Sequence, residues 1–161
     1  MKHYKLTDEC IIVGSRKLYR IQATVDLPQH DVKAGDLGGF VQSYKNLSGN
    51  AWVSGDAKVY GNARVSGNVW VYGNAWVYGN ARVYEDAWVS GNAEVYGNAK
   101  VYGNAQIFRD VQVFGNAWVY GNAKVYGNAK VCAGNISKQN QLSTFQIGEG
   151  FVVTVTPKHA T

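Results

Sequence analysis

The chain has 161 residues, a formal net charge of +5, 19 glycines and only 2 prolines. Aromatic residues make up 13% and charged residues 17%, which excludes intrinsic disorder, because disordered chains have few aromatic residues and more charge. No apolar run approaches the roughly 18 residues of a membrane span, and no secretory leader is recognised. We therefore expect a cytoplasmic protein with no membrane partner. Two cysteines, Cys10 and Cys132, are too few for a disulfide framework.

Residues 1–36 predict an N-terminal cap. Residues 10–13 and 18–25 alternate apolar and polar side chains around a short glycine-containing turn, which predicts a β-hairpin. The glycine-rich residues 27–39 predict a connector that leads from this hairpin into the body of the protein.

A six-residue repeat dominates residues 37–132. Fourteen uninterrupted hexads of the form Gly-Asn-Ala-x-Val-Tyr run over 49–132, and two degenerate units at 37–48 keep Val41 and Leu47 in register. This period excludes an amphipathic helix, whose apolar residues recur about every 3.6 residues. Each hexad predicts one short strand and one corner, because Ala-x-Val-Tyr alternates and Gly-Asn accommodates the positive φ of a tight corner.

Three such strands close a triangular coil of eighteen residues. Ala and Val are the near-invariant apolar positions of the hexad, so they must point inward and form the core. We therefore predict an all-β fold, a parallel β-solenoid of about five coils with hairpin appendages. Its two open ends expose unpaired backbone groups and need caps.

Residues 133–161 predict the second cap. Residues 145–147 and 151–155 flank a Gly-Glu-Gly turn and predict a C-terminal hairpin. We expect the natural protein to continue beyond Thr161.

The eighteen-residue coil sorts the outward side chains onto three faces, each with a column before Val (the pre-valine column) and a column after it (the post-valine column). The pre-valine columns are Trp52, Trp70, Trp88, Gln106 and Lys124 on the first face, Lys58, Trp76, Glu94, Gln112 and Lys130 on the second, and Arg64, Arg82, Lys100 and Trp118 on the third. The post-valine columns are Ser54, Tyr72, Ser90, Phe108 and Tyr126 on the first face, Tyr60, Tyr78, Tyr96, Phe114 and Cys132 on the second, and Ser66, Tyr84, Tyr102 and Tyr120 on the third.

Most aromatic residues, including all five tryptophans, are thus predicted to point outward. Two interpretations stay open: rings on neighbouring rungs stack and stabilise the sheet, or they form a contact surface. That surface would serve a sister subunit, in a dimer or trimer, or a foreign protein. The expected contact residues are Trp52, Trp70, Trp76, Trp88, Trp118, Tyr60, Tyr78, Tyr96, Tyr84, Tyr102 and Tyr120.

The cationic column of Arg64, Arg82 and Lys100 also has two interpretations. Like charges in register repel and add nothing to folding, so the column is either a solvated face or an anion-binding stripe. The second interpretation gives nucleic acid as an alternative partner, because arginine beside aromatic rings suits stacked bases.

The spacing Val-x-Gly-Asn-Ala-x resembles the hexapeptide repeat of left-handed parallel β-helices, the fold of many acyltransferases. The resemblance covers residues 37–132 and implies a left-handed coil, which periodicity alone does not give. With its opening KLTDE…LYRI…VKAGDLGGFVQS, the chain is similar to hexapeptide-repeat proteins of phages, prophages and bacteria. Many of these are labelled acyltransferases by fold alone.

The resemblance to acyltransferases implies a histidine general base on a coil or on a loop that protrudes from it. Here His3, His30 and His159 all lie outside the repeat, and no loop interrupts the hexads. We therefore expect no enzyme, no catalytic residue, no metal site and no cofactor. An acyltransferase that relocated its base stays an alternative.

These observations favour a non-catalytic rigid binding scaffold. The phage setting implied by the resemblance suggests an accessory protein that contacts a host protein or nucleoprotein in the host cytoplasm, for example to inhibit a defence system. Fold alone does not assign this function.

Overall fold

A parallel β-solenoid of about five coils forms the body of the protein, as the repeat predicts. The computed structural model describes residues 2–137, 145–146 and 152–153. Within these residues the fold is all-β, apart from one 3₁₀ turn at Pro28–His30.

Short strands build three parallel sheets, one for each face. The N-terminal strands are β1 (Tyr4–Val13), β2 (Arg16–Ala23) and β3 (Leu37–Val41). The first face contains β4 (Trp52–Val53), β7 (Trp70–Val71), β10 (Trp88–Val89), β13 (Gln106–Ile107) and β16 (Lys124–Val125). The second face continues from β3 through β5 (Lys58–Val59), β8 (Trp76–Val77), β11 (Glu94–Val95), β14 (Gln112–Val113) and β17 (Lys130–Val131). The third face contains β6 (Arg64–Val65), β9 (Arg82–Val83), β12 (Lys100–Val101), β15 (Trp118–Val119) and β18 (Asn135–Ile136).

Each strand pairs in parallel with the strand one coil further along the chain. Trp52 pairs with Trp70 on the first face, and Arg64 pairs with Arg82 on the third. The amide of Trp52 donates a hydrogen bond of 2.9 Å to the carbonyl oxygen of Val69. This eighteen-residue register confirms the predicted coil length.

The core is a stack of small apolar side chains. The Ala and Val positions of the hexads are buried, and so are Val69 and Val111, which replace Ala. In the first coil Gly39 stands at the Ala position, where a Cβ would lie 2.6 Å from the carbonyl oxygen of Ala57. Small residues are required because backbone from three sides converges on a narrow axis.

The corners need a left-handed backbone, which glycine supplies without steric cost. Glycine in the corners is replaced at Glu85, with φ of 64°, and at Arg109, with φ of 69°. Glu85-Asp86 takes the place of Gly-Asn in its corner, and Asp86 joins the stacked corner amides. Its Oδ1 accepts a hydrogen bond of 2.9 Å from Nδ2 of Asn68.

The predicted N-terminal hairpin is confirmed, with a longer first strand than expected. Strand β1 pairs antiparallel with β2, and β2 pairs antiparallel with β3. Because β3 is parallel to β5, the hairpin extends the sheet of the second face. Buried Leu18 and Ile21 project from β2.

The prediction that Trp52 is a residue of an outward contact surface is wrong. Trp52 occupies the pre-valine position of the first coil, yet it is only 1% exposed. A Cβ placed on Gly38 would lie 2.8 Å from Cζ2 of Trp52 and 2.5 Å from Cγ1 of Ile21, so the indole packs against the N-terminal cap. Trp52 therefore belongs to the hydrophobic core and not to a contact surface.

The solenoid continues past Cys132. Strand β18 adds one more rung to the third face, where Trp118 pairs with Asn135, seventeen residues further on. Strands β19 (Phe145–Gln146) and β20 (Val152–Val153) pair antiparallel. The rest of the predicted C-terminal hairpin lies outside the described residues. No helix in the described part of the chain is long and apolar enough to cross a membrane.

Candidate binding surfaces

Two post-valine columns are continuous ring stacks. On the second face, centroids of consecutive rings from Tyr60 to Phe114 are 5.1, 5.0 and 5.1 Å apart, with planes within 6° of parallel. On the third face, Tyr84, Tyr102 and Tyr120 stack at 4.8 and 5.1 Å. The expected stacking of neighbouring rungs is therefore confirmed, and the columns present straight aromatic ridges to solvent.

The hydroxyls of Tyr78 and Tyr84 in these ridges are held in the neutral form. Partial burial, followed by the hydrogen bond from its hydroxyl to Oε2 of Glu94 at 3.0 Å, raises the pKa of Tyr78. Partial burial also raises the pKa of Tyr84, with smaller contributions from Tyr102 and Glu85. Neutral hydroxyls both donate and accept hydrogen bonds, so the ridges combine apolar rings with polar tips.

The remaining tryptophans differ in exposure. Trp88 is 41% exposed and Trp118 is 37% exposed, whereas Trp70 and Trp76 are half-buried. Trp118 lies under Lys100, whose Nζ is 4.2 Å from the ring centroid. These four side chains, unlike Trp52, are available at the surface.

The cationic column forms in the predicted register. Arg82 pairs with Arg64 on one side and with Lys100 on the other. Both arginines are exposed, and neither forms an ion pair within residues 2–137. The guanidinium donors of this column are therefore directed to solvent.

Two grooves flank the cationic column. One has a volume of about 290 Å³ and is also lined by Lys45 and Asn80. The other has a volume of about 330 Å³ and is also lined by Ser66 and Tyr84. Such a surface offers charged donors, side-chain amides and hydroxyls to an anionic group.

A crevice on the first face was not recognised from the sequence. Its volume is about 250 Å³, and it is lined by Tyr72, Trp88, Ser90, Gln106, Ile107 and Phe108. It lies where Ser90 interrupts a column that carries Tyr72 on one side and Phe108 on the other. Serine between the aromatic residues Tyr72 and Phe108 of the neighbouring rungs was the available sequence signal.

Two histidines anchor the N-terminal cap to the first coil. Nε2 of His3 donates to the carbonyl oxygen of Ala51 at 2.8 Å, and Nε2 of His30 donates to that of Asn50 at 2.9 Å. Desolvation lowers the pKa of both imidazoles. His159 lies outside the described residues. Among the residues described, no group of three or more His, Cys, Asp or Glu is arranged to hold a metal ion.

Comparison with known proteins supports the repeat architecture. A family model described as the YdcK beta solenoid repeat matches residues 57–73 and 75–91. No curated protein shows significant similarity to the chain. The chain is a β-solenoid repeat protein.

Proposed function

We propose that the protein is a non-catalytic, rigid binding scaffold that contacts proteins, including copies of itself, through its outward columns. The observation that carries the proposal is the combination of a fully buried Ala and Val core with unbroken aromatic ridges and exposed tryptophans. Contiguous aromatic surface is typical of protein interfaces, and a rigid scaffold loses little entropy when it binds.

The finer classification is part of the same proposal. The Gly-Asn-Ala-x-Val-Tyr repeat supports a left-handed hexapeptide-repeat solenoid, and the similarity to phage and prophage proteins supports an accessory role in the host cytoplasm. The partner in this setting is a host protein or nucleoprotein, including components of a defence system.

The roles of two histidines favour binding over catalysis. In an acyltransferase the general base must reach the substrate hydroxyl or amine. His3 and His30 instead donate to main-chain carbonyls under the cap. Isothermal titration with acetyl-CoA tests the acyltransferase alternative: measurable binding at millimolar ligand would support it and weigh against a non-catalytic scaffold.

The test of the scaffold is partner capture with a surface variant. Trp76, Trp88 and Trp118 are replaced together by Ser, while the core residue Trp52 is kept. Tagged protein is incubated with lysate of the producing or host cell, and captured proteins are identified by mass spectrometry. We expect the wild-type protein to retain specific partners that the triple variant loses.

The matched control replaces the exposed residues Lys5, Lys17 and Lys33 of the cap with Ser. It should capture the same partners as the wild-type protein. Identical capture by all three proteins, with the triple variant folded by circular dichroism, would refute the scaffold proposal for the aromatic columns.

Nucleic acid is a second candidate partner because of the cationic column and its grooves. The affinity for a single-stranded oligonucleotide should fall as the salt concentration rises. The triple variant Arg64→Glu, Arg82→Glu, Lys100→Glu should make this dependence weaker, so that the plot of log affinity against log salt becomes less steep by about 2. The same charge reversal at Lys5, Lys17 and Lys33 should change the slope less. Equal slopes in both triple variants would refute a specific role for the column.

A further inference from the structure

The tyrosine column of the third face begins with an open ring face. Tyr84 stacks on Tyr102 with centroids 4.8 Å apart and ring planes 3° apart, so one face of the Tyr84 ring is covered. On the other side, the post-valine position of the preceding rung is Ser66, whose side chain carries no ring. Because rungs are about 4.8 Å apart, the space beside Ser66 has the thickness of one further ring.

Two comparable positions are filled from within the chain. On the first face, Nε1 of Trp70 donates a hydrogen bond of 3.0 Å to Oγ of Ser54, and its indole lies 4.6 Å from the ring of Tyr72. On the second face, Gln42 precedes Tyr60, and its Oε1 accepts a main-chain hydrogen bond of 2.8 Å. The chain thus covers the start of these two columns with its own side chains.

The space beside Ser66 is open to solvent. The residue that corresponds to Trp70 on this face is Arg82, which is exposed. Ser66 is partly exposed, whereas Ser90 on the first face is only 7% exposed and is closed to a ligand. The groove of about 330 Å³ has the size of a small-molecule site. It is lined by Arg64, Ser66, Arg82, Tyr84 and Lys100.

Two arginines border this space on the side of the pre-valine column. Arg64 precedes Ser66 by two residues, and Arg82 precedes Tyr84 by two. Residues two apart on a strand point to the same side, about 6.6 Å from each other. Neither arginine forms an ion pair within residues 2–137, whereas Nζ of Lys100 lies over an indole ring. Both guanidinium groups can therefore reach an anion beside a ring that stacks on Tyr84.

The charges on the two sides of Tyr84 have opposite signs. Burial raises the pKa of the Tyr84 hydroxyl, Tyr102 and Glu85 raise it further, and Arg82 lowers it. The hydroxyl therefore lies between an acidic neighbour and a basic one. A ligand whose ring stacks on Tyr84 is favoured when its negative charge lies on the arginine side and away from Glu85.

We propose that this space binds a nucleotide, with its base stacked on Tyr84 beside Ser66 and its phosphate held by Arg64 and Arg82. A base presents flat faces that stack on an aromatic side chain, and a phosphate accepts paired hydrogen bonds from a guanidinium group. A free nucleotide and the terminal unit of a single strand share this chemistry. The inference rests on nucleic acid as the second candidate partner and gives that partner a defined site.

The first test fills the space from within the chain. Ser66→Tyr extends the tyrosine column by one ring and leaves every cation in place. It should raise the dissociation constant for AMP more than about tenfold in isothermal titration, because the base loses its stacking surface. Ser66→Ala is the matched control, since it keeps the space empty. It should bind AMP as the wild-type protein does.

The second test separates the phosphate from the base. The double variant Arg64→Gln, Arg82→Gln should bind AMP no more tightly than adenosine, which has no phosphate, when both are measured by ligand NMR. The wild-type protein should bind AMP more than about tenfold more tightly than adenosine. The control variant Lys5→Gln, Lys124→Gln removes two exposed lysines that do not line the groove, and it should keep the wild-type preference.

The third test identifies the source of the nucleotide. A 5′-phosphorylated tetranucleotide that competes with AMP and binds more than about tenfold more tightly assigns the site to the end of a single strand. Equal affinities assign it to a free nucleotide. Phenyl phosphate has a ring and a phosphate but no base. If it binds more tightly than AMP, the site takes phosphotyrosine and the nucleotide proposal is overturned.

Two further results would overturn the site. One is the absence of binding by both AMP and the tetranucleotide at about 10 mM ligand. The other is equal binding of AMP by Ser66→Tyr and Ser66→Ala. An oligonucleotide whose affinity depends on the cationic column but not on Ser66→Tyr would keep nucleic acid as a partner and exclude this site. Acetyl-CoA also contains a nucleotide, so binding of acetyl-CoA that Ser66→Tyr abolishes belongs to this site and not to acyl transfer.

Discussion

At the residue scale, the corner positions show how strictly the backbone dictates the side chain. Glycine recurs at the corners because φ is positive there, as at Gly91 with φ of 70°. The next coil also approaches closely, since a Cβ on Gly91 would lie 2.7 Å from the amide nitrogen of Arg109. A side chain at a corner therefore needs a compensating reason.

Glu85→Gly should stabilise the protein. Relief of the left-handed strain at φ of 64° should raise its free energy of unfolding by about 1 kcal/mol, measured by urea denaturation. Gly91→Ala makes the opposite change, because it adds a side chain at a corner, and should lower the free energy of unfolding. A loss of stability in Glu85→Gly would show that the Glu85 side chain contributes to the fold itself.

Much at this scale could be predicted from the sequence. The inward Ala and Val positions, the stacked rings and the register of Arg64 with Arg82 all follow from the six-residue period. The burial of Trp52 could not be predicted in this way, because the residues that cover it belong to the cap. The crevice at Ser90 depends on which neighbouring side chains fill the space, and the period does not determine that.

At the element scale, the cap is held to the first coil by burial and by polar contacts. Trp52 provides the largest buried side chain of this junction, whereas Trp118 has the same hexad position but is exposed. Trp52→Ala should therefore lower the free energy of unfolding by about 3–5 kcal/mol, and Trp118→Ala by less than about 1 kcal/mol. Equal losses in urea denaturation would contradict the placement of Trp52 in the core.

The histidine contacts of the cap should make its stability depend on pH. Because burial lowers the pKa of His3 and His30 below the ordinary value of 6.5, the unfolded chain binds protons more readily than the folded one. The stabilisation is complete above pH 6.5 and is lost as pH falls below it. Between pH 7.5 and pH 5, the double variant His3→Gln, His30→Gln should lose less stability than the wild-type protein; an identical loss would exclude these histidines as its source.

At the scale of the whole molecule, each coil contacts only its neighbours, so the solenoid should tolerate loss of a complete coil. Deletion of residues 97–114 removes eighteen residues and keeps every later residue on its face. Deletion of residues 97–102 removes six and moves every later outward residue to a different face. Both variants should keep β-structure by circular dichroism. Only the eighteen-residue deletion should keep Trp118 on the third face, next to a cationic side chain on the neighbouring rung.

Tryptophan fluorescence distinguishes the two deletions. In the eighteen-residue deletion Trp118 still follows Arg82 on the third face, whereas in the six-residue deletion it joins the second face below Glu94. We expect different emission maxima and different quenching by iodide, which approaches a cationic surface more readily. Identical spectra would contradict the three-face arrangement.

The eighteen-residue register also bears on how such a gene can change. A recombination event that duplicates a segment of three hexads lengthens the prism by about 4.8 Å, one rung spacing, and leaves the existing surfaces in order. An event that adds one hexad instead rearranges all the surfaces that follow it. Such a lineage can therefore extend an established contact in small, uniform steps, or replace it in a single event.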